Sequence, residues 1–167
     1  MEFVIWNLEF MKILGIDPGT TIIGVGLIEY KNKKASLLGY DCLRTDQKET
    51  TSQRLENLFN QLTKFIKKCQ PDIVAVEDIF FFKNAKTAID VSQARGVILL
   101  AAAKQKIPVC EYTPLQVKQA ITGYGRAEKK QIQQMVKVIL KLKNAPEPDD
   151  AADALAIAIC CAHSFKH

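Results

Sequence analysis

Apolar residues near the start of the chain fall in short runs separated by turn residues. Ile13, Leu14 and Ile16 form a run over 12–17 that closes on Asp17, and Pro18-Gly19-Thr20-Thr21 supplies turn chemistry before a second run over 22–30. Asn32-Lys33-Lys34 marks another turn, so 35–43 reads as the third strand of one meander. From Thr50 the period changes: Leu55, Leu58, Phe59, Leu62, Phe65, Ile66 and Cys69 recur at helical spacing behind a Thr50-x-x-Gln53 capping box. Ile73-Val74-Ala75-Val76 is then a continuous apolar run, as expected of a strand buried on both faces, and it ends on Glu77. A long helix is predicted over 85–105, with Ile89, Val97, Leu100 and Ala101 among its apolar positions and Gly96 weakening it locally. A short strand over 108–112 follows, then a helix opening at Thr113-Pro114, with Pro in its first turn, and running to Ile121. Residues 128–142 form an amphipathic helix carrying Ile132, Met135, Val136 and Ile139 on one face. After Pro146-Glu147-Pro148, a last helix spans 149–161.

This order, a meander followed by alternating helices and strands and then closing helices, predicts an α/β fold with a mixed sheet covered by helices. The 167 residues suit one domain, with 1–10 as an extension and 11–163 as the folded unit. Twenty-three Lys and Arg against eighteen Asp and Glu leave a net charge of +5, which suits a polyanionic partner without requiring one. The five cysteines form no CxxC pair and no zinc spacing with histidine, and an odd count of them fits a reduced, cytoplasmic setting. The apolar opening MEFVIWNLEF lacks a basic start and a cleavage site and is too short to span a bilayer, so no membrane is expected.

The chemistry lies in the acids. Asp17 and Glu77 each close an apolar run, and in sheets of this kind strand carboxyl ends face the ligand. Taken singly, each is ordinary: Asp before Pro-Gly is turn chemistry, and Glu77 could solvate a loop. Asp149, Asp150 and Asp153 open the last helix, whose other residues are almost all small and so permit close approach. Asp150 and Asp153 share a face at i, i+3, as do Asp149 and Asp153 at i, i+4, and spacing does not choose between Asp149 and Asp150. Asp149 could also be an N-cap. Four carboxylates brought together would repel unless cations filled the site, and oxygen-only ligation points to Mg²⁺ ahead of Mn²⁺. The matching chemistry is two-metal phosphodiester hydrolysis.

Gly15-Ile16-Asp17-Pro18-Gly19, Val76-Glu77-Asp78, Gln93-Ala94-Arg95-Gly96 and Asp150-Ala151-Ala152-Asp153-Ala154-Leu155-Ala156, in this order, resemble the RuvC family of Holliday junction resolvases over 11–162. Gln116-Val117-Lys118-Gln119 and Ala127-Glu128-Lys129 follow the same pattern, whereas residues 1–10 and Phe82 depart from it. The resemblance implies an RNase H-like fold with a five-stranded mixed sheet flanked by helices on both faces. It implies a homodimer that places two active sites on a four-way DNA junction and nicks it symmetrically, with two Mg²⁺ ions per site. Asp17, Glu77, Asp150 and Asp153 fall on the family's catalytic, metal-holding acids. Lys118 and Lys129 match basic residues near the scissile phosphate, and Phe80 matches an aromatic at unstacked bases. Lys130 and Arg126 join them as expected DNA contacts, and RuvA and RuvB are the implied branch-migration partners.

From the residues alone, Lys129 and Lys130 sit at a helix N-terminus, where the dipole disfavours cations unless a phosphate is bound. Phe80 could equally be core or dimer contact, and Gln93 to Gly96 could be helix packing, with Gly96 admitting a close neighbour. His163 receives no role. An actin-like kinase, suggested by Asp17-x-Gly19-Thr20-Thr21, would need a second copy of the domain. The remaining alternatives are a noncatalytic junction-binding protein, which would lack acids, and another RNase H-like nuclease of the YqgF type or acting on RNA-DNA hybrids.

Overall fold

The computed structural model describes residues 10–78 and 85–165. Strands β1 (Phe10–Asp17), β2 (Ile22–Lys31) and β3 (Lys34–Arg44) form the antiparallel meander, and helix α1 (Thr51–Cys69) leads to β4 (Ile73–Glu77). Helix α2 (Ala85–Lys104), strand β5 (Val109–Tyr112), and helices α3 (Pro114–Thr122), α4 (Lys129–Ile139) and α5 (Asp149–Ser164) complete the described chain. The sheet order is β3-β2-β1-β4-β5, with β1 antiparallel to β2 and parallel to β4, so the sheet is mixed and five-stranded as expected.

Both faces are covered. Leu14, Ile16, Val74 and Val76 pack with Leu58, Leu62 and Ile66 of α1 and Ala94, Ile98 and Ala101 of α2. Ile13, Ile28 and Ile73 pack on the other face with α5 and with Val117, Ile121, Ile132 and Val136 of α3 and α4. Alternate residues of β1 and β4 thus enter opposite cores, which explains why their runs are continuously apolar. Burying each Leu, Ile or Val side chain contributes roughly 1.5–3 kcal/mol.

The small residues of α5 let it lie directly on the sheet. A Cβ at Gly15 would collide with the Ala154 carbonyl oxygen, one at Gly24 with the Asp150 carbonyl oxygen, and one at Gly26 with the Leu155 side chain. Capping fixes the helices that approach this end of the sheet. Thr50 and Gln53 form the expected box at α1, and Thr113 and Gln116 form a second at α3, with the Gln116 N–H donating to Thr113 Oγ1 at 3.2 Å.

Several boundaries and packing expectations shift. β1 takes in Phe10, which pairs with Lys31, so the strand runs one residue into the expected extension. α4 ends at Ile139 rather than 142, because Leu140 caps it and Lys141 turns left-handed with φ 54°. α5 continues to Ser164, and His163 Nδ1 lies 3.1 Å from the Ala120 carbonyl oxygen, tying α5 to α3. On α2 the buried residues are Val91, Ala94, Ile98, Ala101 and Ala102, whereas Ile89 and Leu100 are 58% and 53% exposed. A Cβ at Gly96 would meet nothing within 4 Å, so the close neighbour expected there is not among this chain's described residues. Among those residues no helix is long and apolar enough to cross a membrane.

Candidate active site

Asp17 and Glu77 are the last residues of adjacent parallel strands, one step beyond the paired Ile16 and Val76. Asp153 reaches the same place from the first turns of α5, which the glycine contacts hold against β1 and β2. Asp17, Glu77 and Asp153 line one cleft of about 260 Å³ together with Lys118 of α3 and Lys129 of α4. Asp150, one turn before Asp153, borders an open depression with Arg44 and Asp149 and still acts electrostatically on both Asp17 and Asp153.

Burial and repulsion act together here. Asp17 is pushed up to about 8, first by burial and then by Glu77, Asp153 and Asp150, with Lys129 opposing. Glu77 is pushed up to about 7 by burial and by Asp153, against the pull of Lys118. Burial also raises Asp153, although Lys129 hydrogen-bonds to it and lowers it in part. Burial alone would lower the Lys129 ammonium, but Asp153 holds it above its ordinary value.

Lys129 Nζ lies 3.0 Å from Asp153 and 3.5 Å from Asp149. The cation at the N-terminus of α4 is therefore offset by the acids at the N-terminus of α5. Asp149 is not the N-cap, since Pro148 holds that position. Its carboxylate instead accepts from Gln133 Nε2 at 2.7 Å, which draws it toward α4. Gln133 had no signature of its own in the sequence, although it shares a helical face with Lys129 at i, i+4. Lys130 and Arg126 are exposed on either side of Glu128, and Phe80 lies outside the described residues.

The acidic donors are all oxygen, and Asp17 shares the cleft with two more carboxylates while feeling a third, Asp150, which is the environment a hard divalent cation relieves. The residues fit such an ion chemically. As the side chains stand, no three His, Cys, Asp or Glu among the described residues form a ready ligand group, and Asp153 is engaged by Lys129.

A mixed sheet whose adjacent strand ends present acids to an acid-bearing helix defines an RNase H-like nuclease. A sequence profile described as "Crossover junction endodeoxyribonuclease RuvC" matches residues 13–161. A protein of that name from Desulfitobacterium hafniense is 58% identical over 156 residues, covering 93% of this chain and 94% of its own. The structure described as "Thermus thermophilus RuvC structure" superposes with TM-score 0.85 at 38% identity, covering 92% of this chain and 95% of that one. A second, "T. thermophilus RuvC in complex with Holliday junction substrate", gives TM-score 0.83 at 35% identity over the same shares. The chain belongs to the RuvC family, whose members are metal-dependent nucleases.

Proposed function

We propose that this protein resolves four-way DNA junctions by hydrolysing one phosphodiester in each of two symmetrically placed strands. Its catalytic carboxylates are Asp17, Glu77, Asp150 and Asp153, within one nuclease unit spanning 11–163. The observation that carries this reading is one cleft in which Glu77 and Asp153 meet a half-buried Asp17 at the carboxyl ends of two parallel strands, with Asp150 acting on Asp17 from the preceding turn of α5.

The four acids would hold two Mg²⁺ ions, with Mn²⁺ as the alternative. When bound, such ions supply an activated water and charge to stabilise the leaving oxygen. The chain does the rest. Burial denies Asp17 and Glu77 the water that would otherwise satisfy their charge, so they favour a cationic ligand. Lys118 and Lys129 face the acids across the cleft and can transfer to phosphodiester oxygens as the backbone enters. Lys130 and Arg126 extend that contact from the start of α4, and Phe80 stacks on an unpaired base.

A homodimer would bring two such sites to one junction. Ile89, Gln93, Gly96 and Leu100 recur at i, i+4, i+7 and i+11 on α2, which is the spacing of a helix–helix seam, and Gly96 leaves room for a partner's backbone. The family resemblance extends the partners to RuvA and RuvB. Five free cysteines support a reducing, cytoplasmic setting for the protein.

The test is cleavage of labelled mobile and immobile four-way junctions, with and without Mg²⁺, alongside an RNA-DNA hybrid. Paired symmetric nicks that need the metal, leave the hybrid intact and vanish in Asp17→Asn and Asp150→Asn are expected. Asp149→Asn should lose less than about tenfold, since Asp149 is held by Gln133 and Lys129 at the rim. Tight junction binding by the native protein without cutting in either metal would instead identify a binding protein.

A further inference from the structure

Arg95, in the middle of α2, joins three elements at the carboxyl edge of the sheet. Its Nη2 lies 3.2 Å from Asp78 Oδ1 and also contacts Glu111 Oε2. Asp78 directly follows Glu77, and its N–H donates to the Tyr112 carbonyl at 2.8 Å, one residue beyond the last β4–β5 pair. Glu111 stands opposite Val76, the residue before Glu77. The two anions therefore bracket Glu77 along the ladder. The Arg95 side chain is 19% exposed while those of its partners are 44% and 43% exposed, and the adjacent Ala94 is buried against the sheet, which fixes the helix beneath the guanidinium.

We propose that Arg95 is a positioning residue that sets the end of β4 so that the Glu77 carboxylate faces Asp17 and Asp153. Glu77 is the terminal residue of a five-residue strand whose outer neighbour is a four-residue edge strand, so the ladder alone gives its backbone little support. A planar guanidinium can hold two carboxylates in fixed directions at once, whereas an ammonium supplies the charge without that geometry. Arg95 lies on the same helix as the exposed Ile89 and Leu100 face, so it also links that face to the acids. The inference rests on the proposed role of Glu77 as a metal-holding acid.

The experiment compares the native full-length protein with Arg95→Lys and Glu111→Gln. Glu111→Gln serves as the milder variant, because it removes one anchor from a half-exposed site without changing shape. Three quantities are read: kcat and KM for junction cleavage at varied Mg²⁺, Mn²⁺ binding by titration calorimetry without DNA, and junction affinity in EDTA. Losing a group that orients a metal ligand typically costs about 10- to 100-fold in affinity or activity. Arg95→Lys should lower kcat and weaken Mn²⁺ binding in that range, leave KM and junction affinity within about twofold, and recover partly at high Mg²⁺. Glu111→Gln should move the same quantities in the same direction by less. Unchanged kcat and Mn²⁺ binding in both folded variants would overturn the inference, as would a rise in KM with kcat intact, which would make Arg95 a DNA contact. Failure of the underlying reading looks different: native protein would then bind Mn²⁺ equally well with and without Glu77→Gln.

Discussion

Asp17 is an acid whose ordinary value is 3.8 and which the fold raises to about 8, while Glu77 rises from 4.5 to about 7. Both shifts are upward, so between about pH 4 and pH 8 the folded chain binds more protons than the unfolded one. Stability without metal is therefore greatest at the acid end of that window and falls as pH rises through it. Asp17→Asn removes the centre of the repulsion. In EDTA it should stabilise the fold at pH 8 by on the order of a few kcal/mol, seen as a higher melting temperature, and flatten the decline from pH 5 to pH 8. Mg²⁺ should stabilise native protein strongly at pH 8 and the variant weakly, because the ion relieves a penalty that the asparagine never incurs. Differential scanning fluorimetry across pH, with and without metal, measures all of this. A native melting temperature that rises with pH in EDTA would show that the acids are not held together as described.

At the scale of elements, the site depends on how closely α5 approaches β1 and β2. Gly24 sets that distance, because a methyl group there would meet the main-chain carbonyl of Asp150, which has no rotamer to escape into. Gly24→Ala should cost about 1–3 kcal/mol by overpacking and, by displacing the first turn of α5, lower cleavage more than its stability loss explains. Urea denaturation gives the first quantity and single-turnover cleavage at low temperature the second; full activity in the folded variant would refute the coupling. The acids at the ends of two apolar runs, the small-residue helix and the capping box of α1 were all legible in the sequence, since each is a local pattern with a local cause. What was not legible is relational. Nothing local told Gly24 from a flexible turn residue, drew Asp149 toward Gln133, or separated Ile89 and Leu100, which face outward, from Ile98, which is buried. Those distinctions arise only when α2 and α5 meet the sheet, and four motifs in the right order, Gln93 to Gly96 among them, carried the family resemblance.

For the whole molecule, one copy presents one acidic cleft, whereas resolving a junction requires two coordinated cuts. In the proposed homodimer the α2 face carrying Ile89, Gly96 and Leu100 would supply the means, since pairing it with a second copy would bury two exposed apolar side chains per chain around a close backbone approach. Leu100→Glu tests this with little disturbance of the fold, because Leu100 is 53% exposed and surface substitutions usually change stability by about 0.5 kcal/mol or less. In the dimer the same change would set like charges against each other across the seam, which costs several kcal/mol. Sedimentation should show native protein as a dimer at micromolar concentration and the variant as a monomer, with matching circular dichroism spectra and a native melting temperature that rises with concentration while the variant's does not. On a junction inside a supercoiled plasmid, native protein should give paired cuts within one binding event, and the monomeric variant predominantly single nicks that accumulate before any second cut. Adding one glutamate lowers the native net charge of +5 by one, so each copy of the variant stays positive, can still bind DNA, and has its defect in coordination. A Leu100→Glu protein that stays dimeric, or a monomer that still cuts both strands together, would place the second site elsewhere than across α2.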